Sequence, residues 1–358
     1  MSTEGLWGIL LAGAYPRGML ALDRLLPRPL LPVADAPIIT YPLLWLSDAS
    51  VSGVTACVNS AARAVRSVLE DTPRVPRALE FYEDWMPRGP AGCVRDAGLR
   101  TDAFTFVVVD GTTIPHPELQ SLVANHRRLG AALTLAVHAE QDGVVGRRLS
   151  PDGIYVIERR ALDMVPEHGF QDIKEGLIPR LYAAGERVAF HECQRACPRI
   201  YDFDSYLAVN RWAISGLARE PHVPEGYERR GEAFVHATSR VSRHARLIGP
   251  LMVGPGVDVD DYATLVGPTA IGSGSLVARG AVVSRSVLWN NCQLGADSVL
   301  DRCLLADGAL VPPRASLYGR LSTGSVPQPV RLRGASSRPS PAQAVLASVR
   351  PLTRAFRA

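Results

Sequence analysis

Glycine and arginine residues follow the first apolar run of the sequence, where they could bind phosphate. The stretch LLAGAYPRGM, residues 10–19, reaches its first glycine at Gly13 and places Ala14 and Arg17 just beyond it. Backbone N–H groups at a tight turn bind phosphate well, and so do guanidinium groups. Arg28, in the segment LLPRPLLPV, adds a second basic side chain. We therefore expect a phosphate-binding turn at Gly13 and Ala14, with Arg17 and Arg28 near the phosphates.

The same turn has a feature that weakens phosphate binding. Pro16 lies within this stretch, and proline has no backbone N–H to donate to a phosphate. Two interpretations stay open at this point. The stretch is either a working nucleotide site or a retained loop that binds no ligand.

The elements that position this turn form an α/β domain. Short apolar runs alternate with stretches of helical spacing over the first two hundred residues, which predicts a mostly parallel sheet covered on both faces. Ligands bind beyond the carboxyl ends of such strands, so the residues after Gly13 and Asp110 lie at the expected site. The predicted strands are Leu6–Ala12, Val51–Val58, Ala78–Tyr82, Phe104–Val109, Leu133–Val137 and Ile154–Ile157, and the predicted helices are Ala61–Leu69, Pro117–Leu129 and Ile173–Ala184.

An apolar repeat dominates the second half of the chain. A six-residue apolar period fits neither a helix nor an alternating strand, and it predicts a solenoid whose short strands each turn one aliphatic residue inward. Three strands close one coil, so about four coils are expected between Val235 and Pro312. The repeating residues are Val241, Leu247, Val253, Val259, Leu265, Ile271, Val277 and Val283, and after a five-residue step Leu288, Leu294 and Leu300.

Composition excludes several classes of protein. The chain is 47% hydrophobic and 21% charged, as in ordinary folded proteins, and a net charge of +4 is too small to indicate nucleic-acid binding. No apolar run approaches the roughly 18 residues that a membrane-spanning helix needs. Six cysteines in a chain of this length do not form a disulfide framework. We expect a cytoplasmic protein with reduced cysteines.

The C-terminal segment is basic. From Arg331 onward it holds six arginines and no acidic residue, and GASSRPSP (334–341) is typical of a linker. After it, apolar residues at helical spacing alternate with arginines, although Pro351 interrupts the pattern. Two interpretations remain open, namely a basic amphipathic helix that contacts a membrane or a partner, and a loosely ordered tail.

Six stretches in order resemble one enzyme family. They are LLAGAYPRGM, LLPRPLLPVADAPIITYPLLWL, GPAGCVRDA, FVVVDGTTI, DIKEGLIPRLYAAGERV and YDFDSYLAVNRWAI. They resemble motifs of the sugar-1-phosphate nucleotidylyltransferases, also called NDP-sugar pyrophosphorylases. The apolar repeats resemble the left-handed β-helix of the mannose-1-phosphate guanylyltransferase type. The resemblance implies a Rossmann-like nucleotidyltransferase domain over residues 1–232, a left-handed β-helix over 233–330, and a basic linker and tail over 331–358.

The family joins a nucleoside triphosphate to a sugar-1-phosphate and releases pyrophosphate. The reaction depends on phosphate-binding turns, basic side chains and a Mg²⁺ ion held by carboxylates, because transfer at phosphorus is mainly a matter of positioning and electrostatics. The resemblance implies a shared role in nucleotide binding for Gly13, Ala14, Gly89, Gly92 and Gly111.

The phosphate-binding positions depart from the family pattern. The second glycine of the turn falls on Ala14, and the Thr-Arg pair falls on Arg17 and Gly18. The lysine of the PKP segment falls on Arg28, which keeps the charge but not the shape. The lysine of a later family segment has no counterpart, since Lys174 is the only lysine of the chain and lies elsewhere.

The metal-binding positions depart further. The two family carboxylates fall on Thr112 and Arg199, neither of which is an anionic ligand. Asp110 and Asp202 are the candidate replacement ligands. An alternative for Asp202, or for Asp204, is to cap the helix that starts near Ser205.

Three functional hypotheses follow. The first is a catalytically impaired protein of sugar-nucleotide metabolism and polysaccharide biosynthesis, which needs no metal. It would bind a nucleotide or sugar phosphate and regulate or scaffold, as a homo-oligomer or with an active relative. The second is an active transferase with Mg²⁺, built on Arg17, Arg28, Asp110 and Asp202. The third is a β-helix acyltransferase that uses His236 or His244 as a base.

Overall fold

The computed structural model describes most of the chain, and Ala14, Arg17 and the basic tail 331–358 lie outside the described residues. The described ranges are 5–13, 22, 25–49, 51–59, 62–73, 76, 78–142 and 146–324, without the side chains at 141, 142, 146 and 147. The chain divides into two compact units. The first consists of Met1–Leu31 and Ala36–Ile200, and the second of Pro32–Asp35 and Tyr201–Ala358.

A seven-stranded sheet forms the first unit. Its spatial order is β3-β2-β1-β4-β6-β5-β7, and every neighbouring pair is parallel except the two pairs that involve β6. The strands are β1 (Leu6–Leu11), β2 (Gly53–Val58), β3 (Leu79–Glu83), β4 (Thr105–Asp110), β5 (Leu133–Asp142), β6 (Gly146–Glu158) and β7 (Val188–Cys193). Two further short strands span Pro32–Val33 and Ala36–Pro37. The α/β fold class is confirmed.

Helices connect these strands. They are α1 (Thr40–Asp48), α2 (Ala62–Glu70), α3 (Gly89–Gly98), α4 (Leu119–Leu129), α5 (Arg159–Leu162) and α6 (Ile178–Ala183), with a 3-10 helix at Arg28–Leu30. The helix predicted over Ile173–Ala184 consists of a π-helical turn, Ile173–Leu177, followed by α6. None of the helices in the described ranges is long and apolar enough to cross a membrane.

Helix α3 was not predicted from the sequence. Its segment GPAGCVRDAG contains three glycines, each of which costs helix stability, so local propensity favours a loop. Burial decides the outcome, because Ala91, Val94 and Ala97 on α3 pack into the core beside the sheet. Helix α4 shows the opposite case, since its apolar spacing already indicated a helix.

A β-helix forms most of the second unit. The strands stack in parallel across three faces, and their inward aliphatic residues form a continuous interior. The faces consist of Ala233–His236, Leu251–Val253, Thr269–Ile271, Val287–Leu288, Leu304–Leu305 and Leu321–Ser322; of Arg240–Val241, Asp258–Val259, Leu276–Val277, Gln293–Leu294 and Leu310–Val311; and of Arg246–Ile248, Thr264–Val266, Val282–Ser284, Val299–Asp301 and Ser316–Tyr318. An edge strand, Tyr227–Arg230, pairs antiparallel with the first face.

The described residues complete five coils of the β-helix, and about four of them lie between Val235 and Pro312, as predicted. The prediction stopped at Pro312, but Leu317 continues the buried interior on a further coil. The pairing of the strands accounts for the five-residue step in the repeat. Val253 pairs with Ile271 one coil later, and Ile271 pairs with Leu288, so the second of these coils is one residue shorter than the first.

Helix α7 (Phe203–Arg219) belongs to the same compact unit as the β-helix. The buried Tyr206 hydroxyl donates to the carbonyl of Pro32 at 2.6 Å and accepts from the Trp289 indole at 2.8 Å. The side chain of Asn210 accepts from the N–H of Ala34 at 3.0 Å. These bonds join α7, the Pro32–Asp35 segment and the β-helix. The domain boundaries at residues 232 and 330, which follow the sequence repeats, stay a prediction.

Candidate functional site

The predicted site lies where β1 and β4 end side by side. Leu11 pairs with Asp110, and the N–H of Gly111 donates to the carbonyl of Leu11 at 2.9 Å. Gly13 follows β1 and Asp110 is the last residue of the neighbouring strand β4, so the two lie at adjacent strand ends, as the sequence predicted. A Cβ atom at Gly111 would stand 2.9 Å from the Leu11 oxygen, so the close approach of the two strand ends requires glycine there.

Arg199 and Thr112 hold the carboxylate of Asp110. The backbone N–H and the hydroxyl of Thr112 donate to Oδ1 at 2.9 and 2.6 Å, and Nη2 of Arg199 donates to Oδ2. Burial raises the pKa of Asp110, but the charge of Arg199 and the bonds from Thr112 lower it by more, so the pKa lies below its ordinary value. Asp110 is thus an ionised carboxylate neutralised within the chain.

The structure brings together the two positions that the resemblance assigns to metal carboxylates. Thr113 and Arg199 form an antiparallel bridge, and the N–H of Ile200 donates to the carbonyl of Thr112 at 3.3 Å. Positions 112 and 199 are therefore neighbours, as the alignment of the two motifs requires. The side chains there are a hydroxyl and a guanidinium.

Gly153 on β6 closes this cluster. Its φ angle is +78°, and a Cβ atom there would stand 3.2 Å from the Thr113 hydroxyl and 3.3 Å from both Arg199 Nη1 and Asp110 Cβ. A glycine thus leaves the room that the guanidinium occupies. Nothing in the sequence indicated this contact, since Gly153 belongs to a strand distant in the chain from the recognised motifs.

The residues at this site do not fit a Mg²⁺ ion. Magnesium prefers oxygen ligands in an octahedral arrangement, usually with one or two carboxylates. Asp110 is the carboxylate at the two strand ends, and its oxygens already accept from Thr112 and Arg199. No group of three or more histidine, cysteine, aspartate or glutamate side chains in the described part of the chain could hold a metal ion.

Asp202 caps helix α7 in the second unit. Its carboxylate accepts from the N–H of Ser205 at 2.8 Å, and the Ser205 hydroxyl accepts from the N–H of Asp202 at 2.8 Å, which completes a capping box. The backbone N–H of Ser205 lowers the pKa of Asp202. Of the two roles predicted for Asp202, the structure shows the cap, and the role of metal ligand stays a prediction.

The glycines of α3 have packing roles. Gly89 has a φ angle of +73°, and a Cβ there would stand 2.5 Å from the carbonyl oxygen of Gln171, which also accepts from the N–H of Ala91. A Cβ at Gly92 would stand 2.8 Å from Cβ of Arg88. Gly89 thus lets α3 approach Gln171, and Gly92 leaves room for the side chain of Arg88 at the start of the same helix. Their predicted contact with nucleotide stays a prediction.

Sequence reasoning missed the ion pair that anchors α3. Arg88 is almost fully buried, and its Nε donates to Asp96 at 2.9 Å while Nη1 and Nη2 donate to the carbonyls of Gly169 and Pro166. The Tyr82 hydroxyl also donates to Asp96, at 3.0 Å. The only available signal was an arginine and an aspartate eight positions apart.

The remaining candidates are placed as follows. Arg28 begins the 3-10 helix, where the N–H of Leu31 donates to its carbonyl at 3.1 Å, and its side chain is half-buried. His244 Nδ1 lies 3.1 Å from the carboxylate of Asp261, with its ring stacked on Tyr262. His236 Nδ1 lies 2.9 Å from the Thr238 hydroxyl. Each histidine thus has a local partner on the β-helix.

Comparison with known proteins gives one family match and several relatives. The sequence profile of the nucleotidyl transferase family, "Nucleotidyl transferase", matches residues 7–144. The chain is also similar to several sugar-1-phosphate nucleotidylyltransferases. It is 24% identical over 308 residues to a mannose-1-phosphate guanylyltransferase of Mycobacterium tuberculosis. The matched region covers 80% of this chain and 85% of that protein.

Two further relatives cover similar lengths. A UTP–glucose-1-phosphate uridylyltransferase of Synechocystis sp. is 23% identical over 88% of this chain and 92% of its own length. A glucose-1-phosphate thymidylyltransferase of Streptomyces antibioticus is 23% identical over 87% of this chain and 91% of its own length. The three names differ in nucleobase, and two differ in sugar from the first, so the likeness supports a sugar-1-phosphate nucleotidylyltransferase and leaves both specificities open.

Proposed function

We propose that this nucleotidyltransferase-like protein of sugar-nucleotide metabolism is catalytically impaired and acts as a regulatory or scaffolding subunit. It binds a nucleotide or an NDP-sugar and associates with a second copy or with an active relative. The observation that carries the proposal is the contact between Arg199 and Asp110. It places a fixed positive charge where the family pattern requires a carboxylate for Mg²⁺.

Electrostatics explains why this replacement impairs catalysis. Two unit charges 4 Å apart interact by about 4 kcal/mol at an effective dielectric constant of 20, and a divalent ion doubles that value. A Mg²⁺ ion beside the guanidinium of Arg199 would meet this repulsion, and its carboxylate ligand Asp110 is already neutralised. Removing a single charge-stabilising group typically costs 100- to 1,000-fold in kcat, or about 3–4 kcal/mol.

Retention of the fold supports a binding role. The strand ends, the close approach at Gly111 and the neighbourhood of positions 112 and 199 are all kept, whereas the charged groups of the reaction are replaced. The β-helix adds a second element that can hold subunits together. Both features fit a protein that uses its fold for binding and association and does not catalyse the transfer reaction.

An active transferase is the second candidate, and the retained carboxylate of Asp110 favours it. The side chains of Asp110 and Arg199 are 25% and 21% exposed, so a ligand can reach the pair. This function requires Arg199 to leave Asp110 before a metal ion binds.

The test mixes the chain with an active sugar-1-phosphate nucleotidylyltransferase of the same organism. Pyrophosphate release by that enzyme is measured with and without the chain, and the complex is sized by light scattering after gel filtration. We expect a complex and a changed rate, whereas an unrelated β-helix protein at equal concentration leaves the rate unchanged. The absence of both a complex and a rate change would contradict the regulatory role.

A further inference from the structure

Charge balance distinguishes this site from one that holds two carboxylates. A sugar-linked diphosphate is an anion, and carboxylates at positions 112 and 199 would repel it unless a cation stood between them. Here position 112 carries a neutral hydroxyl, and position 199 carries a guanidinium that neutralises Asp110. The cluster has no net charge, so it does not repel an anion.

The guanidinium is also held in place before any ligand arrives. Thr112 orients the carboxylate of Asp110 through two hydrogen bonds, and that carboxylate accepts from Arg199. The backbone bridge between Thr113 and Arg199 fixes the start of the side chain, and Gly153 leaves room beside Nη1. A pre-positioned group loses less conformational entropy when a ligand binds.

Arginine suits the recognition of a diphosphate. Its planar guanidinium carries five N–H donors, and it matches phosphate oxygens in a two-point geometry. The side chain of Arg199 is 21% exposed, and the Asp110 it contacts directly follows the buried part of β4, at the edge of the sheet where ligands bind.

We infer that the guanidinium of Arg199, while paired with Asp110, donates hydrogen bonds to the diphosphate of a bound NDP-sugar, so that this site binds the sugar nucleotide without a divalent cation. The inference rests on the proposed function and specifies the ligand of the same site. An NDP-sugar fits better than a nucleoside triphosphate, because its diphosphate carries less negative charge, and a site without net charge and without a cation does little to offset the larger charge of the triphosphate.

The experiment is titration calorimetry with GDP-mannose, UDP-glucose and dTDP-glucose, each in EDTA and in Mg²⁺. We expect at least one of them to bind, with Kd values in the two buffers that agree within about twofold, and free triphosphates in EDTA to bind at least tenfold more weakly. Arg199→Met is expected to weaken NDP-sugar binding by at least tenfold. A Kd that improves strongly with Mg²⁺, or that Arg199→Met leaves unchanged, would overturn the inference.

A matched control and a second variant keep the test decisive. Arg285→Met removes a comparable ion pair, with Asp301 on the β-helix, and should leave the Kd unchanged. The double variant Thr112→Asp/Arg199→Asp restores both carboxylates and should lose NDP-sugar binding in EDTA but recover it in Mg²⁺. If the double variant instead binds equally in both buffers, Arg199 does not replace the cation.

The outcomes also separate this inference from the proposed function. Binding that needs Mg²⁺, or no binding of any NDP-sugar, refutes the role of Arg199 but leaves the mixing experiment with an active relative to decide the regulatory role. Cation-independent binding without a complex or rate change in that experiment supports the role of Arg199 and counts against regulation.

Discussion

Arg199 donates a hydrogen bond to the carboxylate of Asp110, although the two residues come from different motifs 89 positions apart in the chain. Thr112 donates to the other oxygen of the same carboxylate. The contact neutralises the acidic residue at the ends of β1 and β4. Because Arg199 already pairs with Asp110, this carboxylate is less suited to bind a Mg²⁺ ion.

Gly153→Ala should loosen this cluster. The alanine must adopt a φ angle of +78°, and its Cβ would crowd Thr113, Arg199 and Asp110, so we expect a loss of about 1–3 kcal/mol in the free energy of unfolding. Urea unfolding measures the loss. Gly185→Ala is the control, because its φ angle is +75° with no atom within 4 Å of the added Cβ, and only the backbone cost of about 1 kcal/mol applies. Equal losses in the two variants would show that the cluster is not tightly packed.

Asp202→Ala should destabilise α7 without affecting ligand binding in the first unit. It removes the acceptor for the N–H of Ser205, and loss of an N-cap typically costs about 1 kcal/mol. Asp204→Ala, at the second residue of the helix, is the control and should cost less. The measurement is thermal unfolding together with NDP-sugar titration. A weakened Kd in Asp202→Ala, with the fold intact, would favour the alternative role of Asp202 as a metal ligand.

The sequence predicted the fold well because long-range apolar patterns carry it. Burial of Leu119, Leu122, Val123 and His126 on one face of α4 was visible from spacing alone. The solenoid was visible for the same reason, since an inward aliphatic residue recurs about every six positions, as at Val253, Val259 and Leu265. The missed α3 contains residues whose local propensity opposes the structure, and only tertiary packing makes it a helix.

The site could be predicted only in part. Alignment with family motifs identified positions 112 and 199 and showed that their carboxylates are absent. It could not show that Arg199 contacts Asp110, because that contact depends on the backbone bridge at Thr113 and on the space left by Gly153. The sequence shows that position 199 holds a positively charged arginine, but it does not show that this arginine contacts Asp110.

Leu300→Ala should destabilise the β-helix strongly. Leu300 is fully buried on the fourth coil, and leucine-to-alanine changes in a packed core cost about 2–5 kcal/mol. Leu310→Ala removes the same atoms from a side chain that is 40% exposed and should cost less than half as much. Thermal unfolding of both variants measures the difference. Similar losses would contradict a closely packed interior that continues through the last coils.

Acid should weaken the anchor of α3. Burial raises the pKa of Asp96, but hydrogen bonds from Arg88 and Tyr82 lower it by more, so the folded pKa lies below the unfolded value of about 3.9. A depressed pKa stabilises the fold above the unfolded pKa, and this contribution disappears as pH falls through the folded pKa. We expect Asp96→Asn to lose about 2 kcal/mol at pH 7 and to unfold with a flatter pH dependence below about pH 4.

Urea unfolding between about pH 2.5 and pH 7 measures this dependence. Glu70→Gln is the control, because Glu70 forms an exposed pair with Arg66 on α2, and such pairs contribute less than about 1 kcal/mol. Parallel pH profiles for the wild type and Asp96→Asn would show that Asp96 is not the group that titrates.

The most direct test of the central claim is pyrophosphate release by the chain alone. The protein is incubated with Mg²⁺, each common nucleoside triphosphate and a panel of hexose- and heptose-1-phosphates. Enzymes typically turn over at about 10 s⁻¹, and we predict no release above the blank, since Arg199 pairs with Asp110 where the family resemblance implies a carboxylate for the metal ion. Mg²⁺-dependent release that disappears in Asp110→Asn would contradict the account and establish Asp110 as a working metal ligand.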